Sequence, residues 1–353
     1  MGRPMGRPTG RRLTPKAMGG LSLLLLAMSL LAGSGMGAYE LGAGQMLQAL
    51  WRAAQGLAPA GAPDLVFMNI RLPRLLLGAL AGAGLGLSGA LMQGLFRNPL
   101  ADPGLIGVSS GAALAVGLGL VIGANLWPTL PRTLGSPVLV ALAFGGGLLF
   151  TALTCLLAQA EGGTRMGLML LGGIALNALA GAGLGLMSFL ATDEQMRNLQ
   201  FWLLGSLGGA RWSALAWVAP AVLLACGLGQ GLARGLNVLA LGEGPARLAG
   251  VEVESLKRRA IVASALAVGA VTACTGLVGF VGLMAPHGVR LLAGPDHRVV
   301  LPASALWGAA LVVLADAAAR MLVRPAELPL GVLTAFLGAP VFLFMLRRQR
   351  GVL

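Results

Sequence analysis

Charge is what this chain has least of: Asp, Glu, Lys and Arg make up 10% of its 353 residues, while 57% are hydrophobic. That balance excludes a soluble globular domain, because so few polar side chains cannot cover a water-facing surface of this size. Acids are rarer than bases, 12 against 25, and the formal net charge of +13 points toward nucleic acid until the charges are located. Five bases and no acid fall in the first 16 positions, and Arg347, Arg348 and Arg350 close the chain. Basic flanks beside apolar runs are a membrane-topology signal. With neither a finger motif nor an aromatic platform, a nucleic-acid partner is excluded.

Other absences narrow the chemistry. Cys155, Cys226 and Cys274 sit in apolar stretches without metal-ligand spacing, so they read as small packing residues. His287 and His297 are the only histidines, and the few polar residues inside apolar stretches form no triad or metal set, which argues against an intramembrane enzyme. The same scarcity argues against a proton relay or an ion filter. No GxxxxGK[ST] phosphate loop is present, so nucleotide hydrolysis is not expected of this chain.

What the chain does have, from Met18 to Leu346, is a nearly unbroken series of apolar, glycine-loaded stretches. At about 20 residues per crossing, these predict spans near 18–37, 70–92, 104–123, 134–158, 166–190 and 212–232. A charged segment at 241–260 follows, and then a stretch from about 260 to 294 that reads as one full span and one short or broken span, interrupted by Gly279, Gly282 and Pro286. Two more spans lie near 300–319 and 328–346. The first run reads as a retained helix rather than a cleaved signal, given its length and the spans after it.

Ten spans, unlike nine, leave both basic tails, 1–17 and 347–353, in the cytoplasm. Residues 18–346 then form one all-α polytopic transmembrane domain in a bacterial inner membrane, in contact with lipid. Segments 38–69, 124–133, 191–211 and 320–327 face outward, the last carrying Arg320 and Arg324 against the positive-inside tendency. Gly78, Gly82 and Gly86 recur on one helical face, as do Gly181 and Gly185, and such faces allow close helix contact. Asn177 and Asp316 are the main polar intruders and read as helix-packing or helix-end hydrogen bonders.

Several blocks carry a more specific signal: RLPR at 71–74, SGALMQGLFRNPLADPGLIGVSSG at 88–111, LGEGPARLAG at 241–250, GFVGLMAPHGVRLLAGPDHR at 279–298 and ELPLGVLTAFLGAPVF at 327–342. Together, from about Val66 to Arg348, they resemble the FecCD-type permeases of binding-protein-dependent ABC importers, whose members carry iron-siderophores, haem or cobalamin. The resemblance implies the ten-helix type II importer fold and a homodimer with one central pathway. It further implies two ATP-binding subunits that hold ATP and magnesium, and a periplasmic binding protein that delivers the cargo. No cofactor is expected in this chain itself. A transmembrane scaffold or receptor is the competing class, weakened by the lack of an extramembrane domain.

The resemblance also assigns residues. Gly242, Glu243, Ala246 and Gly250, in a cytoplasmic coupling segment at 241–259, match the short coupling helices that enter a cleft of the ATP-binding subunit, and Asp296, His297 and Arg298, with Arg290, belong to the same interface. Haem ligation by the histidines is the weaker reading, because both are placed toward the cytoplasmic side. Arg71, Arg74 and Arg320 match arginines that dock acidic residues of the binding protein, with helix-end structure as the alternative. Arg97, Asn98 and Asp102 in RNPLADPG read as turn formers or partner contacts. The 192–212 and 286–298 blocks look most like those of haem-importing members. Haem is therefore the expected cargo, carried by a periplasmic haem-binding protein, with Arg197 and Arg211 as candidate partners for its carboxylates and a ferric siderophore or cobalamin as the alternative cargo.

Overall fold

The computed structural model describes residues 12–36, 41–123, 126, 135–323 and 326–349. The basic residues of the first eleven positions, nearly all of the expected 124–133 loop, Arg324 and Arg350 lie outside them.

The chain is helical almost throughout. Helix α1 (Pro15–Gly35) starts where the Thr14 hydroxyl accepts from Ala17 N at 3.3 Å and proline occupies the first turn. Helices α2 (Ala43–Ala54) and α3 (Ala62–Val66) follow, and α3 runs through a π turn at Phe67–Arg71 into α4 (Leu72–Leu95). A 3₁₀ turn (Pro103–Ile106) leads to α5 (Val108–Leu118) and then α6 (Gly135–Leu157). A two-residue-per-strand hairpin, β1 (Gln159–Ala160) and β2 (Gly163–Thr164), connects α6 to α7 (Met166–Leu190).

Helix α8 (Asp193–Leu204) begins with a reciprocal cap between Thr192 and Gln195, and α9 (Trp212–Gly231) follows. Two short helices, α10 (Ala233–Leu239) and α11 (Glu243–Leu248), precede α12 (Val253–Thr275). The chain ends with α13 (Val281–Ala293), α14 (His297–Leu322) and α15 (Leu330–Gln349). Among the described residues, seven helical runs are long and apolar enough to cross a bilayer: α1, α3–α4, α6, α7, α9, α12 and α14. Three of the expected ten spans fall instead on shorter apolar pieces, Val108–Gly123, the 13-residue α13 and the Leu330–Met345 part of α15.

Two boundaries differ from the sequence reading for visible reasons. The 260–294 stretch breaks at 276–280, which includes the expected Gly279, and not at Gly282 or Pro286. Gly276 and Phe280 adopt left-handed φ of 70° and 66°, and a side chain on Gly276 would overlap the Trp202 carbonyl. Pro286 survives inside α13 because the carbonyl it orphans four residues earlier, Gly282 O, accepts from Gln93 Nε2 at 3.1 Å. Helix α12 likewise starts at Val253, so the expected 241–259 coupling segment is in fact a separate short helix followed by the first turns of a long one.

Helix α4 is the centre of the packing. It contacts α9, α12, α13 and α14, and 78% of its most apolar window is buried, against 17% for α7. Glycine makes this possible: side chains on Gly82 and Gly308 would overlap each other's carbonyl oxygens, one on Gly86 would overlap Ser304 O, and one on Gly89 would overlap Gly282 O. Gly82 and Gly86 therefore pack backbone to backbone, whereas Gly78 lies against the side chains of Leu207, Val312 and Val313. Gly181 and Gly185 on α7 are different, with nothing within 4 Å in this protomer.

Gly82→Ala should thus lower the thermal midpoint of the detergent-solubilised protein, at a cost of about 1–3 kcal/mol or more from overpacking. Gly19→Ala, at an α1 position with open space, should leave the midpoint unchanged or slightly raised. Equal midpoints for the two variants would show that the α4–α14 contact does not limit stability.

Candidate functional site

The expected functional residues gather at the two ends of the bundle. At one end, α11 is a rigid, short helix. Gly242 at its N-terminus adopts φ of 118° and Gly250 just beyond it 80°, conformations that let the chain reverse on either side. Ala246 is fully buried and anchors the helix, and its carbonyl accepts from Val251 N at 3.0 Å. Glu243 pairs with the buried Lys257 on α12 at 2.8 Å, and Lys257 Nζ also donates to Thr164 O at 2.7 Å. The Glu254 carboxylate accepts from Thr164 N at 3.0 Å and from the Thr164 hydroxyl. The hairpin, α11 and the start of α12 are thereby clasped together. The opposite face of this unit is apolar and open: Leu241 is 75% and Leu248 92% exposed.

Beside it lies the start of α14. Asp296 caps the helix by accepting from Arg298 N at 2.9 Å, and Asn237 Nδ2 donates to the same carboxylate oxygen at 2.6 Å. These bonds hold the Asp296 carboxyl below the ordinary carboxylate range. Asn237 Oδ1 in turn accepts from His297 N at 2.9 Å and lies 2.8 Å from Nδ1. The His297 ring is buried. Its Nε2 has no partner among the described residues and packs against Gly94, where a Cβ would come within 2.6 Å. Arg298 is exposed, whereas His287 lies within α13. In RNPLADPG, Arg97 adopts φ of 51°, Asn98 Oδ1 accepts from Leu100 N at 3.0 Å, and Asp102 Oδ1 accepts from Gly104 N at 2.8 Å. All three residues build the turn. Asn177 contributes a tie between helices, accepting from the Ser110 hydroxyl and donating to Gly104 O.

The arginines of the other end are not free surface charges, and each is engaged within the chain. Arg74 forks onto Asp316, with Nε and Nη2 at 3.0 and 2.9 Å from Oδ1, and onto Glu327 at 3.0 and 2.8 Å. Arg320 pairs with Asp316 at 3.1 Å and donates to the carbonyls of Met36 and Gly33 at 2.6 and 3.1 Å. Arg71, only 5% exposed, donates to Ser34 O. Two arginines thus satisfy the last carbonyls of α1, where the helix dipole favours cations. Arg320 thus has a structural role at the end of α1. Arg197 on α8 and Arg211 at the start of α9 remain exposed.

Sequence reading missed two of these contacts, the Gln93–Gly282 bond and the Glu254–Thr164–Lys257 clasp, and also the helices α2 and α8. The signal for the first was present, since Pro286 within an apolar helix requires an external donor. Among the described residues, no three His, Cys, Asp or Glu side chains gather where they could hold a metal.

A model of the FecCD transport family matches residues 23–348. The chain is 44% identical over 339 residues to the hemin transport system permease protein HmuU of Yersinia pestis, covering 96% of this chain and 98% of that one. It is 42% identical over 281 residues to the cobalamin import system permease protein BtuC of Halobacterium salinarum, covering 79% and 72%. Its fold superposes, with a TM-score of 0.80 and 32% identity over 95% of this chain and all of the other, on a solved inward-facing ABC transporter described as of the metal-chelate type.

The ionic cluster yields a pH-dependent expectation. The hydrogen bond from Arg74 holds the Glu327 carboxyl below its ordinary range. A carboxyl with a lowered folded pKa adds stability that is present at neutral pH and lost as pH falls through that pKa. Glu327→Gln should therefore lower the thermal midpoint at neutral pH by the equivalent of under about 1 kcal/mol, the Glu327 side chain being nearly half exposed, and match wild type in acid. Asp316→Asn leaves Arg74 and Arg320 facing each other and should cost about 3–5 kcal/mol. A series of midpoints against pH in detergent checks both.

Proposed function

The chain belongs to the FecCD transport family and is a non-catalytic, multi-pass inner-membrane permease subunit of an ABC importer; on that premise we propose that it moves haem from the periplasm to the cytoplasm. The observation that carries this reading is the near-full-length similarity to a permease named for hemin transport, at 44% identity over 96% of the chain. Cobalamin is the second reading, favoured by the 42% identical cobalamin permease, whose match covers 79% of this chain. A ferric siderophore is the third cargo that the family accommodates.

In this reading the protein works as a homodimer of ten-span subunits with both termini cytoplasmic, two ATP-binding subunits and a periplasmic haem-binding protein. The short helices Val108–Gly123, α13 and α15 supply the three spans beyond the seven long ones. The sparse burial of α7 and the open positions Gly181 and Gly185 support a second copy, or the shared pathway, against that helix. Helix α11 is the contact to the ATP-binding subunit: its inner face is locked by Glu243 and Ala246, and its outer face offers Leu241 and Leu248. A rigid element with an exposed apolar face suits force transfer, because a displacement imposed on it passes directly to α12 through Lys257. Asp296, His297 and Arg298 flank the same interface. At the outer end, Arg71, Arg74 and Arg320 hold the ends of α1, α4 and α14 as the floor on which the binding protein docks. Arg197 and Arg211 give the haem carboxylates transient partners. ATP and magnesium act on the partner subunits, and haem is cargo, not a resident group.

Two measurements test the proposal. Leu248→Glu should weaken assembly with the ATP-binding subunits by about thirtyfold or more, the effect of losing a central interface anchor, and should abolish ATP-driven uptake while the permease stays folded. Unaltered assembly would remove α11 as the contact. For the cargo, haem, a ferric siderophore and cobalamin compete for the cognate binding protein, followed by uptake into proteoliposomes containing the whole importer. Haem uptake is expected, and cobalamin uptake without haem uptake would reverse the assignment.

A further inference from the structure

At the end of the bundle that carries α11, a cavity of about 570 Å³ opens between the last turn of α4, the segment before α1, the end of α13 and the start of α14. Three guanidinium groups line it, those of Arg12, Arg97 and Arg290. Arg12 and Arg97 are exposed at the rim, and Arg290 lies deeper, donating to Gln93 Oε1. Among the described residues, none of the three has a carboxylate within ion-pair distance. The one acidic group on the wall, Asp296, is already engaged by Asn237, by Arg298 N and by the Arg298 guanidinium at 3.7 Å.

The placement of these arginines is built into the fold. Gln93 is held by its bond to Gly282 O, so its carbonyl oxygen orients Arg290 into the cavity. Arg97 follows the left-handed turn that ends α4. Arg12 is brought across by the bond from Leu13 N to Leu292 O at 2.9 Å and packs over Gly294, where a Cβ would lie 3.2 Å from its Nη1. Three like charges around one space repel one another, and an anion seated among them removes that repulsion.

We propose that this cavity binds a phosphate group, either the headgroup of an anionic phospholipid or free phosphate. Guanidinium forks match phosphate oxygens in pairs, and basic pockets between transmembrane helices at the membrane surface take lipid headgroups. The inference depends on the helices being membrane spans and not on the identity of the cargo. A bound phosphate would join the α4 turn, the α1 approach and the α13–α14 corner, none of which shares an ion pair here.

The test has two arms, each with Arg97→Gln, a rim residue whose loss leaves the core intact, and with Arg234→Gln, an exposed α10 arginine, as the charge-matched control. In the first, the permease is extracted from vesicles of phosphatidylglycerol and phosphatidylethanolamine and weighed intact. Preferential retention of phosphatidylglycerol is expected, falling about fivefold in Arg97→Gln, the loss of one arginine contact, and unchanged in Arg234→Gln. In the second, inorganic phosphate is compared with chloride at equal ionic strength in phosphatidylcholine nanodiscs. A higher midpoint in phosphate for wild type, absent in Arg97→Gln, assigns the site to free phosphate. No preference in either arm overturns the proposal, as does a preference that the double variant Arg12→Gln/Arg97→Gln leaves intact. A loss confined to affinity for the ATP-binding subunits also overturns it and makes the cavity a protein contact.

Discussion

Backbone contact between α4 and its neighbours is the constraint on which the rest of the structure depends. Inside a bilayer, apolar side chains gain little by leaving lipid for one another, so helices associate through close van der Waals packing. Glycines on α4 bring its backbone against the carbonyls of Ser304, Gly308 and Gly282, and the opposing Gly308 does the same in return. With α4 held this closely, Ser88 reaches Ser264 on α12 and Gln93 reaches Gly282 on α13. Polar atoms buried at membrane depth are then satisfied between helices rather than left to lipid.

Both ends of the bundle are tied to that packed centre. At one end, Asp316 on α14 and Arg74 on α4 continue the same helix pair into an ionic cluster, and Arg320 and Arg71 tie the carbonyls of α1 to it. At the other, α4 ends in the RNPLADPG turn beside α11, and α14 begins at the Asp296 cap. A shift of α4 relative to α14 would therefore be felt at both ends of the bundle together. Rigid-body rearrangement of such packed helices is the kind of motion by which two-state transporters alternate access.

The design is asymmetric in burial. Helix α4 is surrounded by this protomer's own helices, while α7 shows most of its length outward. Glycines occur on both, yet on α4 they receive a neighbouring backbone and on α7 they face open space. The same residue type thus serves internal packing in one place and an unfilled face in another, and spacing alone does not distinguish the two.

Sequence by itself determined that this chain spans a membrane many times, because 57% hydrophobic residues leave no other solution, and its motif blocks placed it among importer permeases. Turn formers such as Asn98 and Asp102 were legible too, since their hydrogen bonds are local in the chain. Contacts between residues far apart were not. Arg74 meets Asp316 across 242 positions and Lys257 meets Thr164 across 93, so whether an arginine is a free charge or half of an ion pair is decided only when helices are brought side by side. The break in 260–294 was legible at Gly279 but not excluded at Pro286, because a proline's cost depends on whether another helix supplies the missing donor, and here Gln93 does. Composition and local chemistry act within a few residues of themselves. Charge pairing, carbonyl satisfaction and the opening of a basic cavity depend on the distance between helices, which only the tertiary structure sets.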